Sequence, residues 1–167
     1  MDSNSKALVK KFRDAYVLDG SRVAEIGSVI VEGTGSYREF FTDCEFVGFD
    51  IEQGVNVDVV IDRWDWSVES ESFDVVFAAC VFEHDSRFWL TFSEMVRICK
   101  KGGVVCVVAP STGNEHRFPV DCYRFLKDSM VELAVWQDLE VLESGCLSRV
   151  TTGLTSVSFS GVIAVVR

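Results

Sequence analysis

Apolar positions along the chain follow two rhythms, and the switches between them predict the elements. Leu8, Phe12, Ala15 and Tyr16 recur three and four positions apart with lysines between them, which predicts an amphipathic helix over about residues 4–18. Asp19-Gly20-Ser21 closes it. Short apolar runs follow: RVAEIG predicts a strand entering a glycine turn at Gly27, CEFVGFDI a strand ending at Asp50, and VDVVIDRW a third ending at Asp62. SFDVVFAACVF, the fourth, is continuous enough for burial on both faces. Between the first two strands, SYREFF reads as the start of a helix. In SRFWLTFSEMVRICKKGG, Phe88, Trp89, Phe92, Met95, Val96 and Cys99 keep helical spacing, and Gly102-Gly103 supplies a stop. VVCVVAP is a fifth strand, residues 128–136 a further helix, and LEVLESGCLS and TSVSFSGVIAVVR two strands with no helix between them.

Strands alternating with helices predict an α/β fold with a doubly wound, mostly parallel seven-stranded sheet. The last two strands, joined directly, must run antiparallel, so the C-terminal strand opposes its neighbours. No repeat or linker divides residues 1–167, and a single domain is expected.

Composition narrows the setting. A chain of 167 residues that is 48% hydrophobic, with 13 Phe and 4 Trp, has enough apolar surface for one substantial core. No apolar run approaches the roughly 20 residues of a membrane helix. The N-terminal stretch lacks the apolar block of a secretory signal, so a soluble, cytoplasmic protein is expected. Six cysteines, Cys44, Cys80, Cys99, Cys106, Cys122 and Cys146, form no C-x-x-C pair and have no nearby histidine, which predicts reduced thiols and no metal site. The formal charge of −10 disfavours nucleic acid and anionic membrane surfaces.

In open parallel sheets the ligand lies beyond the carboxyl ends of the strands. Glu25, Gly27, Asp50 and Asp62 all fall there. A nicotinamide cofactor would require G-x-G-x-x-G, whose backbone amides meet a diphosphate. Gly27 is followed instead by Ser-Val-Ile-Val-Glu, with a carboxylate at Glu25 where phosphate would approach. A cationic, phosphate-free nucleoside suits this charge pattern, and S-adenosylmethionine carries an ammonium and a sulfonium. On this reading Asp50 accepts from the ribose hydroxyls, as an acid about 20 residues after the glycine turn does in nucleotide folds. Asp62, with Asp58 and Asp65 as alternatives, accepts from the adenine amino group, with Arg63 or Trp64 against the ring.

Over residues 22–135 the runs EIGS, GTGSYREFF, CEFVGFDI, VDVVID and FDVVFAACVFEHDSRFW resemble the class I S-adenosylmethionine-dependent methyltransferases of the small-molecule, type 11-like kind. The resemblance implies a Rossmann-like domain with a cofactor half over about residues 22–85 and a substrate side over about 86–167. It adds Ser28, Gly35, Ser36 and Ile51 to the cofactor set, and it places Cys80 and Val81 at the methionine and sulfonium end. His84 would stand near the methyl group, where a histidine can act as general base. Thr34 departs from the Asn usual at that place in such relatives. In PSTGNEHRFPVDCYRF, the polar loop after the fifth strand, His116, Arg117, Asp121, Tyr123 and Arg124 are the candidate acceptor contacts, with Phe118 and Phe125 packing.

The expected activity is methyl transfer to a small-molecule or sugar-containing acceptor, with a protein partner or a homodimer to enclose the site. The alternative is an inactive methyltransferase-like binding or assembly subunit. Loop spacing disfavours a nicotinamide-dependent reductase.

Overall fold

Alternate side chains of a strand point to opposite faces, so a strand apolar at every position needs cover on both. The computed structural model describes residues 3–31, 35–148 and 158–167, with side chains over 5–31, 35–145 and 158–167. In it, the longest apolar run forms a strand at Phe73–Ala79. Val76 and Ala78 enter one core, while Val75, Phe77 and Ala79 enter a second on the other face.

In chain order the elements are α1 (Ser3–Tyr16), β1 (Arg22–Ile26), β2 (Glu45–Asp50), β3 (Val59–Val60), β4 (Phe73–Ala79), α2 (Phe88–Ile98), β5 (Cys99–Pro110), α3 (Lys127–Trp136), β6 (Glu140–Ser148) and β7 (Ser158–Val165). The strands form one seven-stranded sheet in the order β3-β2-β1-β4-β5-β7-β6. β1 to β5 pair in parallel, and β7 lies antiparallel between β5 and β6. This is the doubly wound α/β sheet with a reversed C-terminal strand that the sequence predicts. α1 contributes Val9 and Phe12 to the core holding Phe77. On the opposite face α2 and α3 contribute Phe92, Met95, Met130 and Leu133.

Local elements depart from the predicted ones. SYREFF forms only a one-turn 3-10 helix at Arg38–Phe40, and Phe41 turns into the core beside Phe77, 5.2 Å between ring centroids. α1 stops at Tyr16. α2 ends at Ile98, and Cys99 is already extended. Gly102 and Gly103 therefore lie inside β5, where the register slips between Phe73↔Cys99 and Val75↔Val104. Gly102, at φ 76°, accommodates that slip. β3 is two residues long and ends before Asp62.

Between β1 and β4 the described residues contain no α-helix, so loops rather than helices cover the carboxyl ends of β1 and β2. Five cysteines are free; Cys99 and Cys106 are buried, whereas Cys122 is exposed and the Cys146 side chain lies outside the described residues. Burial pushes the Cys99 thiol up to about 12. Among the described residues no helix is long and apolar enough to cross a membrane.

Phe77 is 0% exposed and meets Phe12, Tyr37, Phe41 and Phe46. Phe77→Ala leaves a cavity at the sheet centre and is expected to cost about 3–5 kcal/mol. Leu126→Ala, at a solvent-facing position, should change stability by less than about 0.5 kcal/mol. Urea midpoints of the two variants against the parent chain measure the contrast.

Candidate active site

The site begins where β1 runs out. Glu25, 3% exposed, sits one residue before the end of that strand. Gly27 follows at φ 75°, and a Cβ there would overlap the Val81 side chain, so the turn requires glycine. Asn56, in the left-handed conformation at φ 76°, gathers the surrounding chain. Its amide donates to Glu25 Oε2 at 3.1 Å and to the Ser28 carbonyl at 2.9 Å. Its Oδ1 accepts from Ser36 Oγ at 3.2 Å and Arg38 Nε at 2.7 Å. β2 passes beneath at Gly48, where a Cβ would collide with the Asn56 carbonyl.

Burial raises Glu25 to about 8, against smaller lowering by the Asn56 hydrogen bond and the Arg38 charge. The carboxyl group is therefore largely protonated at neutral pH.

Two cavities meet at this turn. The larger, about 410 Å³, is lined by Asp50, Ile51, Glu52, Ile61, Arg63 and Trp66 on the β2 side and by Val81, His84, Asp85, Thr91, Arg117 and Phe118 on the other. The smaller, about 100 Å³, is lined by Glu25, Ser28, Gly35, Ser36, Tyr37 and Ala79. Gly27, Val29, Val31 and Cys80 line both. Their shared wall joins Glu25 to Asp50. Cys80, also at a positive φ of 60°, holds its strained backbone where the two cavities touch, and burial raises its thiol to about 12.

The Asp50 carboxylate is buried and receives backbone N–H groups from Val29 at 2.9 Å, Ile51 at 2.7 Å and Glu52 at 3.3 Å. A carboxylate has about four lone-pair sites, so room for a ligand hydroxyl remains. Asp62, by contrast, is exposed and lines neither cavity, because β3 ends too early to bring it round. Trp64 lines neither cavity as well. Its Nε1 donates to Asp85 at 3.0 Å, and the Arg87 guanidinium lies 4.6 Å from its ring. Asp58, one of the alternatives, is held by Arg38 and the Gly48 amide.

The polar loop after β5 separates into two kinds of residue. Arg124 grips Asp121 with two hydrogen bonds of 2.6 and 2.7 Å, and Asp121 accepts the His116 amide at 2.7 Å. The Arg124 hydrogen bonds hold Asp121 well below the usual carboxylate range. Tyr123 donates to the Ser86 carbonyl at 3.0 Å. These side chains brace the loop. Of the five predicted acceptor contacts only Arg117 lines the larger cavity, and Phe118, expected to pack, is 53% exposed and lines it too. Phe125 does pack, beside Phe82 and Phe88.

His84 lines the larger cavity and donates Nδ1–H to the Val120 carbonyl at 2.6 Å, which leaves the Nε2 lone pair free. Burial lowers its pKa, so the ring is neutral at pH 7. His116 meets it edge-on, 4.9 Å between centroids. Several lining residues carried no sequence signal: Glu52, Ile61, Trp66, Asp85 and Thr91, together with the organiser Asn56. An Asn after Gly-Val in a turn, with its tolerance of left-handed backbone, was the one available clue.

Residues 26–107 match the family model described as a methyltransferase domain. No curated protein matches the sequence at a significant level. Among solved structures, the 1,6-didemethyltoxoflavin-N1-methyltransferase of Burkholderia thailandensis, with bound 1,6-didemethyltoxoflavin and S-adenosylhomocysteine, is similar at a TM-score of 0.76 and 12% identity, over 98% of this chain and 79% of that one. A SAM-dependent methyltransferase from Methanosarcina mazei is similar at 0.71 and 14%, over 91% and 95%. The cyclase SpnF is similar at 0.73 and 16%, over 96% and 80%. At such identities the likeness is one of fold, and the cyclase marks how widely that fold is used.

Because folded Glu25 keeps its proton to about pH 8 while the unfolded chain releases it near 4.5, its contribution to stability is present below 4.5 and lost as pH rises through 8. Glu25→Gln removes that slope. The unfolding free energy of the parent chain, followed through its thermal midpoint, should fall relative to the variant between pH 5 and pH 8, by up to about 1.4 kcal/mol per pH unit. Parallel midpoints across that range would refute the assignment.

Proposed function

We propose that this chain, which belongs to the class I S-adenosylmethionine-dependent methyltransferases, methylates a small-molecule acceptor, such as a sugar-containing compound, seated in the larger cavity. The observation that carries the reading is the buried Glu25 carboxyl group, hydrogen-bonded by a neutral amide and joined to Asp50 by a continuous cavity wall. Burial keeps that group largely protonated, and a cation arriving beside it would pair with the ionised form. The residues fit an adenosyl cofactor: an acid for the ammonium, a second acid for the ribose, and the apolar Ile51, Ile61 and Trp66 for the base. A volume of about 410 Å³ lies within the range of small-molecule sites.

When bound, the cofactor supplies an electrophilic methyl group on a sulfonium, so the protein needs to align and to desolvate rather than to activate. In this reading Gly27, Ser28, Gly35 and Ser36 shape the methionine end with Cys80 and Val81. Asp50 orients the ribose, and Arg63 closes the adenine side. His84 faces the acceptor with a free Nε2 lone pair and takes a proton from the nucleophile. Arg117 and Phe118 stand on the acceptor side of the same cavity. The bound small molecule of the Burkholderia enzyme supports an acceptor of modest size.

Binding of S-adenosylhomocysteine tests the reading. Its ammonium beside Glu25 lowers a pKa that starts near 8, so at pH 7 the complex should release up to one proton, and affinity should rise between pH 6 and pH 8. Calorimetry in buffers of different ionisation enthalpy counts that proton. We expect micromolar binding, weakened at least tenfold by Asp50→Ala, and no proton release in Glu25→Gln. A folded parent chain that binds no S-adenosylhomocysteine would overturn the proposal.

A further inference from the structure

Glu83, His84 and His116 offer three potential ligand atoms that all lie within 4.8 Å of one another. We infer that these side chains form a binding site for one divalent transition-metal cation of the zinc class, at the rim of the larger cavity.

Glu83 is the first reason. Its side chain is 1% exposed, and Oε2 accepts no hydrogen bond. A buried carboxylate oxygen in that condition is expensive without a positive partner. Arg124 is committed to Asp121 by two short hydrogen bonds.

The histidines are the second reason. A metal-bound imidazole ordinarily donates its other ring N–H to a carbonyl or carboxylate, which fixes its tautomer and aim. His84 already does so through Nδ1 to the Val120 carbonyl at 2.6 Å. Its Nε2 lies 3.7 Å from Glu83 Oε1. His116 Nδ1 lies 3.2 Å from the Asn114 carbonyl, 3.6 Å from Asp121 Oδ2 and 3.4 Å from Arg124 Nη2. The outer partner of His84 is therefore in place before any cation arrives.

Bond lengths of about 2.0–2.2 Å bring ligands of one tetrahedral ion to roughly 3.5 Å apart, so the cluster must contract by about 1 Å. Rotation of the His116 side chain, 56% exposed, can supply that contraction. Two imidazoles with one carboxylate favour zinc-class ions over magnesium or calcium, which prefer all-oxygen shells. Three protein ligands also leave a coordination position for water or an acceptor heteroatom. That last role rests on the methyltransferase reading, because His84 lines the cavity in which the acceptor is placed. A cation on Nε2 would replace histidine as the means of lowering the acceptor's pKa.

The test uses the full chain, freed of metal by chelation, reduced, and titrated with zinc sulfate and with cobalt chloride. We expect one equivalent to bind, and the cobalt complex to show visible d–d absorption without the intense thiolate band. His116→Ala, on an exposed side chain, and His84→Ala should each weaken zinc at least tenfold, and Glu83→Gln should weaken it as well. Cys122→Ser should leave affinity unchanged, which excludes as the ligand the exposed thiol of the residue whose backbone N–H donates to the Glu83 carbonyl. Absence of saturable zinc binding, or equal affinity in the parent and His116→Ala, overturns the site. S-adenosylhomocysteine binding is measured on the same samples. Intact cofactor binding without zinc refutes the metal site alone, and intact zinc binding without cofactor refutes the enzymatic reading alone.

Discussion

The structure around the site depends on one side chain, Asn56. Its amide and carbonyl hold Glu25, the turn at Ser28, and the segment at Ser36 and Arg38, three pieces of chain that otherwise have no common element. This is possible because Asn tolerates the left-handed backbone at φ 76°, and because Gly48 offers no Cβ to the Asn56 carbonyl. With no α-helix described between β1 and β4, that polar knot substitutes for the packing a crossover helix would provide. Its arrangement keeps a carboxyl group buried beside open space.

The site that results is asymmetric. At the β1 and β2 ends, two acids stand on rigid strand termini, and one of them is raised by burial to about 8. Across the larger cavity stand His84, with His116 edge-on behind it, and Arg117. On the proposed reading a cationic ligand is held at the first end, and a proton or a metal ion at the second. Cys80, strained at φ 60° between the cavities, belongs with the cost that binding sites impose on a fold.

The loop after β5 shows why residue type underdetermines role. Asp121 and Arg124 have the chemistry of acceptor contacts, yet they spend their hydrogen bonds on each other and on the backbone of His116, Tyr123 and Asn114. Trp64 likewise resembles an adenine platform but is committed to Asp85 and Arg87. Such pairings depend on partners distant in sequence, and periodicity carries no information about them. Phe118 errs in the other direction, as an aromatic residue that faces the cavity instead of the core.

The sequence by itself determined the sheet: its seven strands, the parallel majority, and the reversal at the C-terminus follow from local periodicity, because a strand apolar on both faces can be buried in few ways. It also determined that acids rather than a diphosphate loop end β1 and β2. Helix ends were less legible, since Gly102 serves a register slip in β5 as readily as a helix stop. Tertiary structure alone decided which acids reach the cavity, leaving Asp62 outside and bringing in Glu52 and Asp85. It alone brought His84, His116 and Glu83 together. The reason is physical: a strand's faces are set by neighbours one and two residues away, whereas a cluster of ligands is set by where the chain returns.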